Sequence, residues 1–379
     1  MRLLALAAAI LLSACATVEP APASPAARPV VTTASAASPS AVDPLASLLD
    51  PQVANWRPTG PTLLVTVARA QEGSVVAVPL DGAPAITLAT VHDVSGSAPA
   101  TVLVVARSDG RILAIALATG ATTRRIALLD LASGRARWLT TPGAGESDGV
   151  PAWAADGDSL YYGTSDPSAR RGVPHVALDG AVLQAAHPAP SFGSLLSVSW
   201  VTPDGVLIGA DEFNGPTVWA MDLATGQKVS FGEHNSALWA WRSNRPRALV
   251  SALTNIAAPG SGYLALWDSV TGGKTTILSE PVAGADFDPT GTRIVAAITD
   301  PTDHQVRLSV MNTDGSGRSV LAGTDNARSP LWTESGIAYT TYVPAGPNEV
   351  RIVSPGGGAS RTLYTTTSTI QRMQLIAPR

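Results

Sequence analysis

Cysteine occurs once in 379 residues, at position 15, so no disulfide can form within the chain. Charge is also scarce, with Asp, Glu, Lys and Arg together making up 14%. Of the 25 basic residues only Lys228 and Lys274 are lysine, the net charge is −4, and no basic block occurs. That balance excludes nucleic acid as an expected partner. The apolar run Leu3–Leu12 is about half the ~20 residues a membrane-spanning helix needs, and no sustained helical period follows it. Aromatics are few, at 5%, so any regularity in where they fall carries information. Apolar residues nevertheless reach 45%, ample material for a core.

Residues 1–14, "MRLLALAAAILLSA", have one arginine ahead of the apolar run and read as a signal peptide. Leu12-Ser13-Ala14-Cys15 resembles the lipobox of bacterial lipoproteins. The resemblance implies cleavage before Cys15, a diacylglycerol on its thiol, and a protein held on the outer side of the membrane. Residues 15–52 are rich in Ala, Pro, Ser and Thr. Such a segment buries too little surface to offset its ordering entropy, so a linker is expected there. The folded part is expected over 53–379.

Within that part an aromatic residue recurs ahead of a turn. "NWRPTG" places Trp56 four residues before Gly60, "PAWAADG" Trp153 before Gly157, "ADFDPTG" Phe287 before Gly291, and "PLWTESG" Trp332 before Gly336. Trp200 precedes Gly205 by five, Trp241 lacks the glycine, and Ala106 fills the aromatic place in "VVARSDG". The column 56, 106, 153, 200, 241, 287, 332 steps by 41 to 50 residues. A second column of turn glycines, Gly82, Gly134, Gly180, Gly226, Gly272, Gly315 and Gly357, steps by 42 to 52. Both give seven units. Short alternating runs such as "SLYYG", "TVWAMDL" and "RIVAAIT" fill the intervals and read as strands. Four short strands repeated at this period predict an all-β, seven-bladed β-propeller of four-stranded antiparallel blades. The aromatic is expected to end the innermost strand and wedge between neighbouring blades.

The unit P-x-W-x-x-D-G, followed by a strand and then hydrophobic-x-D-L-x-T-G, resembles the WD-like repeat of TolB-type propellers. Pro151, Trp153, Asp156 and Gly157 carry it, as do Trp200, Pro203, Asp204 and Gly205; Phe287, Pro289 and Gly291; and Pro330, Trp332 and Gly336. Signal, spacer and propeller together are similar to LpqB-like lipoproteins, although both families place an extra domain before the propeller where this chain has the spacer. The resemblance implies an envelope protein that binds other proteins.

No nucleophile elbow, P-loop, dinucleotide fingerprint, H-E-x-x-H or cysteine ligand set is expected, and neither a cofactor nor a metal. His92, His234 and His304 adjoin carboxylates and are expected on solvated loops. Sorted by loop, acids gather on one face: Glu146, Asp148, Asp211, Glu212, Glu233, Asp300 and Asp325, with Glu72, Asp93, Asp166 and Asp303. Against them stand Arg69, Arg170, Arg171 and Arg328. This predicts an acidic funnel face that binds an envelope protein or basic peptide without catalysis, in a monomer tethered to the membrane through Cys15. The alternative is a propeller hydrolase or lactonase using funnel carboxylates, with or without a divalent cation.

Overall fold

The computed structural model describes residues 44–96, 100–141, 146–165, 171–184, 196–201, 206–211, 217–231, 236–242, 247–252, 261–268, 273–343 and 346–376. Cys15 and the signal lie outside these. The chain divides into Met1–Ala41 and Val42–Arg379, and every described residue belongs to the second unit. Apart from one 3-10 turn at Pro44–Ser47, its described elements are all strands.

These strands form seven antiparallel sheets, each a blade. The second to seventh blades begin with the inner strands Leu103–Ala106, Ser147–Trp153, Leu196–Val201, Ser236–Arg242, Val282–Phe287 and Ala327–Thr333. In each, successive strands step outward from the inner one, except that in blade three the short Arg171–Gly172 pairs with Ser159–Ser165 beside His175–Ala177. The first blade is built differently. Thr62–Arg69, Glu72–Pro79 and Ile86–His92 supply its middle, Leu49–Pro51 adds an outer fifth strand, and Thr369–Ile376, from the far end of the chain, is its inner strand.

That arrangement corrects the repeat alignment at one place. Ala106, Trp153, Trp200, Trp241, Phe287 and Trp332 lie at or next to the ends of inner strands. Trp56 does not: it lies in the connection before Thr62, where its N–H donates to Leu131 O at 3.1 Å. Its ring packs on the apolar cluster between blades one and two. Here one blade is shared between distant parts of the chain, so the aromatic place of blade one passes to Thr369–Ile376. The fold also starts before position 53. Leu45, Leu48 and Leu49 are buried in that same cluster, and Leu49–Pro51 pairs with Ala89–Val91, within the expected linker.

The core lies between blades, because strand alternation sends neighbouring side chains to opposite neighbours. In blade two, Leu113, Ile115 and Leu117 face blade one, while Ala114 and Ala116 face blade three. The small alanines leave space that Tyr162 and Trp153 fill. Trp153 Nε1 also donates to Val105 O, 3.2 Å away on the preceding inner strand. After it, Gly157 turns the chain with φ +76°, a conformation side chains disfavour.

A second contact links inner strands around the ring. Asp286, one residue before Phe287, accepts from Trp332 N at 2.7 Å in the next blade. Gln374, one residue before Leu375, accepts from Ala106 N at 3.1 Å and donates to Ala106 O at 3.3 Å. Gln371 repeats the grip on Val102 N (2.9 Å) and Ala100 O (2.6 Å). The C-terminal strand thus pairs with Thr62–Ala68 and holds blade two by its side chains.

Gln374→Ala should cost about 1–3 kcal/mol, because it leaves partly buried backbone groups unpaired. Trp332→Ala, at a site 7% exposed, should cost about 3–5 kcal/mol through its cavity. Urea unfolding midpoints at constant slope measure both; an unchanged midpoint for Gln374→Ala would refute its closing role.

Candidate binding face

In every blade the inner strand starts, the second ends, the third starts and the fourth ends on the same side, here the upper face. Connections between blades arrive there too. Glu146 precedes the inner strand of blade three, and Asp148 is that strand's second residue. Asp211 ends the second strand of blade four, opposite Leu196 and Thr217 in the ladder. Asp300 follows the second strand of blade six, and Asp325 lies between blades six and seven. These five therefore fall on the upper face. Glu212, Glu233 and Asp166 lie outside the described residues.

The acids are not equivalent. Arg307, at the start of a third strand, bonds Asp300 (3.3 Å), Asp303 (2.5 Å) and Asp325 (2.6 Å) at once. Its hydrogen bond holds Asp303 below the usual carboxylate range. Counting charges by loop omits Arg307 because it belongs to a strand, so this part of the face is less negative than its loops suggest. Asp93 serves structure. It is 6% exposed, and although burial works against its charge, bonds from Ser95 N (2.7 Å) and Thr101 N (3.0 Å) help hold its pKa low.

Asp148 is the exception. It is 3% exposed, and burial pushes its carboxyl up to about 6, against the hydrogen bond that Thr140 Oγ1 donates and with Glu146 adding to the rise. Thr140 Oγ1 in turn accepts from Ile126 N at 2.9 Å. Arg125 donates twice to Thr140 O, at 3.1 and 2.8 Å, while lying 4.1 Å over the Trp138 ring. In blade six the equivalent threonine, Thr324, accepts from Leu308 N but donates to the backbone O of Leu321. Asp148 thus stands where a repeat partner uses a carbonyl.

Two features are not apparent from the repeat pattern. Gly145-Glu146-Ser147-Asp148-Gly149 does match G-x-S-x-G spacing, contrary to the expectation that no elbow motif occurs. It runs from a connection into a strand rather than through a strand–turn–helix elbow, and Ser147 Oγ, in a residue 8% exposed, accepts from Arg124 N at 3.1 Å. On the other side of blade three, His175 Nε2 and Ser159 Oγ are 2.7 Å apart, with Tyr161 stacked on the imidazole at 4.0 Å. Burial lowers the His175 pKa, yet Ser159 is 3% exposed and closed to a substrate. Among the described residues no group of three His, Cys, Asp or Glu side chains is placed to hold a metal ion.

The upper face is recessed beside the turn that leads into the C-terminal strand. A cleft of ≈ 570 Å³ is lined by Arg69, Gln71, Glu72, His92 and Ser368. A second, of ≈ 400 Å³, is lined by Tyr342, Val343, Pro347, Asn348 and Thr367. Tyr342 and Val343 are 47% and 40% exposed, and Arg328 lies 5.3 Å over the Tyr342 ring.

No protein-family model and no curated protein matches the chain. Solved structures do. The β-propeller domain of the Trilobed protease from Pyrococcus furiosus, of open velcro topology, is similar over 84% of this chain and 98% of its own. The TM-score is 0.54 and the identity 12%. The fold is a β-propeller. A putative 6-phosphogluconolactonase from Bacteroides uniformis is similar over 84% of this chain and 100% of its own, with TM-score 0.54 and 12% identity. TolB from Acinetobacter baumannii is similar over 72% of this propeller chain, at TM-score 0.49 and 18% identity, and the chain spans 66% of that TolB. At these identities the likeness is one of fold.

Asp148 gives the face a pH dependence with a defined sign. Its folded pKa, about 6, exceeds the unfolded value of about 3.9, so its protonated form stabilises the fold below pH ~4. That contribution, about 2–3 kcal/mol, is lost as pH rises through about 6. Asp148→Asn should flatten the stability profile between pH 4 and 7 and be the more stable protein at pH 7, read from urea midpoints across that range. Parallel profiles for the two proteins would refute the assignment.

Proposed function

We propose that this propeller is a lipid-anchored envelope protein whose upper face binds another protein or a basic peptide without catalysing a reaction. The observation that carries the reading is the exposed pair Tyr342 and Val343 lining one of the two open clefts, with Arg328 stacked on the tyrosine. Exposed aromatic and arginine side chains around a recess are what protein interfaces use as anchors. Acids contributed by blades three, four and six to the same face add a field that steers a basic partner. Cys15 and the spacer after it tether the ring outside the cytoplasm and give it reach.

A second reading, a hydrolase or lactonase, draws on Asp148, whose carboxyl burial raises to about 6, although at 3% exposed it is as shielded as Ser159. Asp148→Asn separates the two, because it should remove turnover in an enzyme and leave partner binding unchanged in a scaffold.

Cys15→Ser should release the protein from membranes; if it still sediments with them after a high-salt wash, the anchor is elsewhere. Cross-linking in the envelope from position 342 identifies the partner, whose association with the purified chain is then timed. Asp211→Lys with Glu212→Lys should slow association more than it speeds dissociation, and salt should do the same as the screening length shortens to about 8 Å. Tyr342→Ala should instead speed dissociation. Association indifferent to salt and to both variants would refute the upper face as the site.

A further inference from the structure

The seam between blades seven and one changes character along its height. In its middle it is apolar, where Val65, Val67 and Val76 of blade one meet Ala338, Val350 and Ile352 of blade seven. Residues two apart along a strand share a face of the sheet. On blade one the step up from Val67 leads to Arg69, which pairs in the ladder with Glu72, and Glu72 pairs with His92. On blade seven the steps up from Ala338 and Val350 lead through Thr340 to Tyr342, and to Asn348. The upper end of the seam is therefore polar and aromatic on both walls, and both clefts lie there. The link from blade seven into the closing strand joins them, with Thr367 lining one cleft and Ser368 the other.

Two groups at this end lack the partners their chemistry calls for. Asn348 is 8% exposed and lines the second cleft. Its Nδ2 donates to Ser368 O at 2.9 Å, but Oδ1 is buried with no donor bonded to it. Nearly all buried polar atoms in folded proteins are bonded, so an open acceptor beside a cleft marks a place for a donor from outside the chain. The other group is Arg69, on the wall of the first cleft. Glu72 faces it across the ladder, yet among the described residues no ion pair or hydrogen bond engages its guanidinium. Arg328, on the blade-seven side, lies over the Tyr342 ring and has no carboxylate partner among the described residues either. Here arginine outnumbers carboxylate, the reverse of the balance on blades three, four and six.

A ligand that meets both groups carries an anion for Arg69 and a hydrogen-bond donor for Asn348. The rim of Tyr342, Val343 and Pro347 adds a place for a hydrocarbon group. The last residues of a polypeptide hold all three in fixed order, as terminal carboxylate, main-chain N–H and side chain. The reach is short, because Asn348 bonds Ser368 and Ser368 shares a cleft with Arg69. Each extended residue covers about 3.3 Å, so two or three of them pass from one cleft to the other.

We propose that the upper end of this seam captures the carboxy terminus of a polypeptide. Arg69 takes the terminal carboxylate as a two-pronged donor, Asn348 Oδ1 accepts a main-chain N–H of the same segment, and an apolar side chain lies on Tyr342 and Pro347. The inference rests on the upper face being a protein-binding face, and names the part of the partner that enters it. The acids of blades three, four and six remain to meet basic groups elsewhere on that partner.

The test uses the full chain in non-ionic detergent, with N-acetyl-Ala-Ala-Leu as probe and calorimetry as the readout. The free acid should bind, and the same peptide ending in a carboxamide should bind about tenfold or more weakly. Arg69→Met should erase that difference. Glu72→Gln should tighten the free acid by about two- to fivefold, because the like charge beside Arg69 is gone. Asn348→Leu should weaken acid and amide alike, since both offer the N–H; if it does not fold, the two exposed positions 69 and 72 decide the matter. No binding of the free acid, equal binding of acid and amide by the parent, or an unchanged preference in Arg69→Met would overturn the proposal. Weaker binding to Glu72→Gln would overturn it too, by making Glu72 an acceptor for the ligand. Any of these leaves the upper face standing as the partner's site so long as Tyr342→Ala still speeds dissociation of the cross-linked partner.

Discussion

Everything in this molecule depends on the pairing of Thr369–Ile376 with Thr62–Ala68. A blade is a sheet with two apolar faces, and it is stable only when both are covered. Seven such sheets have no end to cap if the first and last meet, and the C-terminal strand makes them meet. Gln371 and Gln374 then fasten that strand to blade two, while Ile370, Met373 and Leu375 fill the seam with blade seven.

The same strand places the chemistry. One end of it borders both clefts of the upper face, through Thr367 and Ser368. Its middle fastens to blade two through Gln371 and Gln374. Closure and binding therefore share a segment, and a partner seated on the upper face touches the turn leading into the closing strand. The charged groups elsewhere on that face divide by role. Asp93 and the Arg307 cluster hold connections in place, while Asp148 accepts a buried hydrogen bond from Thr140.

Repetition made the fold legible and then misled at one blade. Trp153, Phe287 and Trp332 recur because each must fill the same wedge, so their spacing reports the ring directly. Trp56 has the same spacing to Gly60 but belongs to a connection, because blade one borrows its inner strand from the other end of the chain. A period cannot reveal that exchange, since the closing strand "TIQRMQLI" has neither the aromatic nor the turn glycine. Leu45, Leu48 and Leu49 were hidden in a similar way, as three leucines beside a proline-rich stretch whose burial depends on a surface built by blades one and two.

What the sequence by itself determined is the local, repeated part: strands of about five residues, turns at Gly157 and Gly315, seven units, and the side of the ring on which each loop emerges. These follow from alternation and backbone sterics, which act over a few residues. What only the tertiary structure decided is which charges find one another. Arg307 reaches Asp325 across 18 residues, Gln374 reaches Ala106 across 268, and among the described residues Arg372 reaches no carboxylate. Electrostatics and burial depend on distance in space rather than along the chain, so no spacing in the sequence could have set those three side chains apart.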